Sequence, residues 1–132
     1  MISEKDIAQA LRLHLETMPD RLPTSWDNKD LEKIQRPYLV SELVRTGRTS
    51  RRLDGTGVKS RGYFMVTVVI ERGSWATTAE AEGDRLLDHF AHPLSLDVPG
   101  GKVKTTKPPE LKQGYPDGPN YRLPVRIDYL AE

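Results

Sequence analysis

There is no cysteine in the 132 residues, which removes disulfides, thiolate metal sites and a cysteine nucleophile together. That fits a reducing compartment. Apolar residues are also in short supply, 36% of the chain against 30% charged. Such a balance leaves room for one modest core and a good deal of loop. No apolar run approaches membrane-spanning length, the longest being that around Met65 to Ile70. The opening M-I-S-E-K-D lacks a basic stretch followed by an apolar one, so no signal peptide is expected. Charge of one sign is lacking too. A net charge of +1 gives no global reason to expect a nucleic-acid partner. The expectation is one soluble, intracellular domain over residues 1–132, with no membrane partner.

Reactive constellations are equally scarce. The run G55-T-G-V-K-S60 has Val58 where a phosphate loop needs glycine directly before the lysine, and it leads into a strand instead of a helix. G-x-S-x-G is absent. His89 and His92 lie three apart, and Asp84, Asp88 and His92 follow helical spacing. A metal needs a fourth ligand that is not identifiable, and a solvated helix face explains the pattern more simply. Asp27, Asp30 and Glu32 beside Trp26 read as exposed loop. No catalytic residue, metal ligand or cofactor is assigned, and no enzyme is expected.

What is present is a pattern of elements. Ser3 to Met18 predicts a helix, with Ser3 as cap and Ile7, Leu11, Leu15 and Met18 as its apolar stripe. Pro19 stops it, and Pro23 allows at most a short edge strand around Thr24 to Trp26. Tyr38 to Thr46 and Tyr63 to Arg72 are rich in β-branched and aromatic residues and predict strands. A second helix runs from a cap at Thr77 or Thr78 to about His92, with Ala79, Gly83, Leu86 and Phe90 on one face. Lys102 to Lys107 and Tyr121 to Tyr129 complete the set, separated by a proline-rich loop. The fold class is α+β: an antiparallel sheet of about four strands, two helices packed on one face, and a long hairpin loop between the two central strands.

Two features ask for a partner. Six basic residues, Arg45, Arg48, Arg51, Arg52, Lys59 and Arg61, face one acid, Asp54, in the loop between the central strands. Such a segment suits a docking arm that orders on a protein partner. It also suits a backbone grip on nucleic acid through Arg48, Arg51, Arg52 and Lys59, though no aromatic interleaves them to stack a base. The second feature is the strand after it. Phe64, Val66, Val68 and Ile70 alternate with Tyr63, Met65 and Val69, so both faces are apolar and both need cover. Either loops fold over the second face or another subunit does.

L11-R-L-H-L-E-T-M-P19, W26-D-N28, P37-Y-L-V-S-E-L43, S60-R-G-Y-F-M-V-T-V-V69, T77-T-A-E-A-E-G-D-R-L-L-D-H-F90 and Y121-R-L-P-V-R-I-D-Y129 together resemble the tail terminator proteins of long-tailed phages and prophages. The resemblance spans nearly the whole chain in element order, through diffuse motifs. It implies a non-catalytic virion protein, assembled in the host cytoplasm and located in the tail. Such a protein forms a hexameric ring, caps the tail tube to end its polymerisation, and offers the surface for head joining. Its partners would be further copies of itself, the tail tube protein and a head-completion protein, with DNA passing through the lumen. On that basis the six basic residues become a tube-docking loop, and Tyr63, Met65 and Val69 a subunit interface. The alternatives are another head–tail connector of the neck, or a nucleic-acid-binding module using the basic 45–61 loop.

Overall fold

A computed structural model describes residues 2–27, 35–50, 52–55 and 57–132. Helix α1 (Glu4–Glu16) begins at Ser3, whose Oγ accepts the Asp6 N–H at 3.1 Å. That bond satisfies one of the donors left open at a helix start. Ile7, Leu11 and Leu15 are buried on its inner face. Strand β1 (Thr24–Ser25) follows Pro23 and pairs parallel with the start of β2 (Tyr38–Ser50). β2 turns back into β3 (Val58–Glu71), and a loop carrying Trp75 leads to α2 (Thr77–His89). Ala76 holds the cap position of α2 with no side-chain cap bond, so neither Thr77 nor Thr78 caps it. The remaining strands are β4 (Ser95–Val98), β5 (Gly101–Thr105), β6 (Glu110–Leu111), β7 (Tyr115–Asp117) and β8 (Asn120–Ala131).

The sheet is larger than the four antiparallel strands expected. It is a curled, mixed sheet of eight strands in the order β1-β2-β3-β8-β5-β4, with β6 and β7 also paired to β8. The parallel β1–β2 rungs make it mixed. β4 escapes a pattern reading because it is short; it folds onto β5 through a tight turn in which Gly100 takes φ 86. β6 and β7 lie inside the proline-rich stretch, and with β5 they divide one side of β8 among them. The other side of β8 is held continuously by β3, from Ser60↔Ala131 to Glu71↔Asn120.

One core joins residues of both helices to the sheet, although the expected simple packing of two helices on one face of four strands is not matched in detail. Phe64, Val66, Val68 and Ile70 from β3 meet Leu123, Val125 and Ile127 from β8, the α1 stripe, and Ala79, Leu86 and Phe90 of the second helical segment. Gly83 explains how close α2 lies: a Cβ there would fall 2.8 Å from Leu111 Cδ1. Within α2, buried Glu82 pairs with Arg85 one turn on at 2.8 Å.

Candidate assembly surfaces

The cationic segment between the central strands is mostly strand. Pairing of β2 with β3 continues past a bulge between Arg45 and Gly47 through Arg48↔Ser60, Thr49↔Lys59 and Ser50↔Val58. The expected strand ends at Thr46 and Tyr63 therefore fall short, because basic side chains on a hairpin do not prevent its ladder from forming. Three of them are also paired with acids. Glu4 at the start of α1 receives Arg45 at 3.2 Å and Arg48 at 2.5 Å, and Arg48 also donates to the Ile2 carbonyl at 2.9 Å. Lys59 pairs with Glu132 at 3.1 Å. Arg52 and Arg61 are exposed and, among the described residues, form no ion pair; Arg51 lies outside the described residues. Beyond Ser60, where β8 stops pairing, two rungs and the turn project from the sheet. Leu53, in the turn, is fully exposed.

The second face of β3 is unevenly covered. Tyr63 and Met65 are half-buried, Thr67 is buried, and Val69 has no exposed surface. The Arg126 guanidinium lies 3.9 Å from the centre of the Tyr63 ring, and Arg126 in turn bonds Asp128 at 3.1 Å. That bond holds the Arg126 proton more firmly than usual. Lys107 reaches Asp128 at 3.6 Å and Glu110 at 2.7 Å, and Lys112 joins Glu110 at 2.5 Å. The hydrogen bond from Lys107 and then that from Lys112 bring the Glu110 carboxyl down to about 2. Tyr63 and Met65 thus border a charged, exposed network, while Val69 belongs to the interior of the chain.

The histidines are structural in placement. His89 is not on a solvated face: its ring stacks on that of His14, centres 4.2 Å apart. Each Nε2 contacts the other residue's carbonyl oxygen, His14 to His89 at 2.8 Å and His89 to His14 at 2.5 Å. Phe90 closes the pair edge-on, and burial lowers the His14 pKa. His92 Nδ1 instead meets Thr105 Oγ1 at 2.7 Å, away from Asp84 and Asp88 on the outer face of α2. Asp27 also has work beyond an exposed loop, since it accepts the Leu43 N–H at 2.9 Å and pairs with Arg12 at 3.5 Å. Asp30 and Glu32 lie outside the described residues.

Sequence reasoning did not single out Leu53, Trp75 or Glu4. Leu53 is the apolar residue of a turn otherwise made of Arg, Asp and Gly, and Trp75, 87% exposed, sits in R72-G-S-W-A76. An apolar side chain in a polar turn was the available signal. The two stand at opposite ends of β3, one beyond Val58 and one beyond Glu71. Beside the Trp75 end, between α2 and the strands β6 and β8, lies an open groove of ≈ 330 Å³. Leu111, Tyr121 and Leu123 line it, with Glu80, Lys112 and Gln113. Among the described residues no helix is long and apolar enough to cross a membrane.

A family model described as phage tail terminator protein matches residues 6–129. No curated protein matches the chain. One solved structure, 22% identical, superposes with a TM-score of 0.81 and covers 100% of this chain and 97% of its own. At that identity the likeness establishes the fold alone.

Proposed function

The chain belongs to the phage tail terminator family, structural proteins of the virion tail, and from that premise we propose that it caps the tail tube as a ring. The cap ends tube polymerisation and presents the surface that the filled head joins. The observation that carries this reading is the family match over residues 6–129. A core that runs from Ile2 to Ala131 supports treating residues 1–132 as one domain. On this reading the chain has structural rather than catalytic work. Its partners are further copies in a hexameric ring, the tail tube protein below and a head-completion protein above, with DNA crossing the lumen and assembly in the host cytoplasm.

Within the cap, Arg52 and Arg61 are, among the described residues, the cations of the hairpin with no ion pair and so free to meet a partner, with Arg51 a further candidate by sequence. Arg45, Arg48 and Lys59 act mainly by holding the hairpin against Glu4 and Glu132. That division weakens the nucleic-acid reading, which needs several unpaired cations along a backbone track. Tyr63 and Met65 supply the apolar part of a subunit or tube contact; Val69 is already covered.

Deleting the gene from its phage tests the proposal. The expected result is tails of uncontrolled length that do not join filled heads, both corrected by the gene supplied in trans. Tails of normal length joined to heads in the deletion would reject the capping role.

A further inference from the structure

The hairpin tip and the groove beside α2 are complementary surfaces that one molecule cannot bring together. Tip and groove sit at opposite ends of the same strand: β3 pairs with β8 from Ser60↔Ala131 at the tip end to Ile70↔Tyr121 at the groove end. Ten residues of strand span about 33 Å, so Leu53 cannot reach the groove of its own chain. We infer that the Arg52–Leu53 tip of one copy docks in the Leu111–Tyr121–Leu123 groove of the next, with Arg52 against Glu80. The inference rests on the ring reading above and gives it a specific junction.

The charges of the two surfaces match. The tip offers one fully exposed leucine beside an arginine with no ion pair among the described residues. The groove offers Leu111, Tyr121 and Leu123 within a largely polar lining that includes Glu80, which also has no ion pair among the described residues. Lys112, the cation at the groove, is bound to Glu110 at 2.5 Å, which reduces its repulsion of an incoming arginine. Asp84 and Asp88 follow Glu80 at helical spacing on the exposed side of α2 and extend the negative potential toward an approaching basic hairpin. The contact uses different surfaces on the two copies, so it is heterologous: it closes into a ring where the rotation allows. Each junction is small, and closure makes the contacts mutually reinforcing.

The absence of cysteine makes the test direct. A tagged Leu53→Cys chain is mixed with untagged Gln113→Cys, and separately with untagged Lys104→Cys on exposed β5 as a control. Each mixture is treated with a short bismaleimide, free and in the presence of purified tail tubes. The expected result is capture of the Gln113→Cys chain at least tenfold above the control. A chain carrying both Leu53→Cys and Gln113→Cys gives a ladder of products beyond the dimer. Arg52→Glu abolishes the capture, and adding Glu80→Arg to the Gln113→Cys partner restores it. Capture equal to the control in both conditions, a ladder that stops at the dimer, or no restoration by the charge exchange overturns the junction. Tube capping by the wild-type protein is scored in parallel. Capping without specific cross-linking rejects the junction and leaves the terminator role standing, whereas loss of capping rejects the role itself.

Discussion

At Gly62 the absence of a side chain makes room for the Val44 carbonyl of β2 and the Tyr129 ring of β8. A Cβ there would collide with the Val44 carbonyl oxygen and lie 2.8 Å from Tyr129 Oη. Gly62→Ala is therefore expected to destabilise the domain by about 1–3 kcal/mol, as overpacking of a filled site does, read by thermal or urea denaturation. The second residue-scale prediction separates two neighbours on one face of β3. Val69→Asp buries a carboxylate at a position with no exposed surface and should cost about 3 kcal/mol or more, leaving little folded protein by circular dichroism. Met65→Asp, at a half-exposed position, should leave the fold intact and lower assembly on sedimentation. The sequence placed Met65 and Val69 together because alternation assigns a face correctly. It does not say which part of that face the chain itself covers.

Among the elements, the helices and the long strands were legible and the hairpin was not. Ser3 capping α1 and the α1 stripe follow from spacing alone, as does the buried Ala79–Gly83–Leu86 face of α2. The hairpin was read as a loop because its residues are basic and include Gly47, Gly55 and Gly57, yet its stabilising partners come from far along the chain. Glu4 and Glu132 meet it only in the folded state, and no local pattern reports a contact of that range. Glu4→Gln should therefore raise amide exchange at Arg48 to Ser50 while changing global stability by less than about 1–2 kcal/mol, since exposed ion pairs contribute little. The His14–His89 stack supplies a pH prediction. Burial lowers the His14 pKa below 6.5, so between its folded value and 6.5 the unfolded chain binds more protons. The resulting stability is fully present above pH 6.5 and is lost as the pH falls from there through the folded value. Denaturation midpoints followed from pH 7.5 to 5 should fall more steeply for the wild type than for His14→Phe.

For the molecule as a whole, the family and the α+β class were legible from diffuse motifs in the right order, whereas the extent of the sheet was not. The short edge strand expected around Thr24 to Trp26 is present as β1, but β4, β6 and β7, of two to four residues, are set by the edges they find on β5 and β8. The same long strand that organises the sheet also separates the exposed Leu53 and Trp75 ends. Ring formation by a contact of this size should be concentration-dependent, with monomer dominating in dilute solution. The decisive measurement is the length of tail tubes polymerised from purified tube protein, by electron microscopy, with and without this protein added after nucleation. The account predicts that elongation stops on addition and that a ring of extra density appears at one end of each tube. Tubes that keep growing at the uninhibited rate, with bare ends at saturating protein, would contradict it.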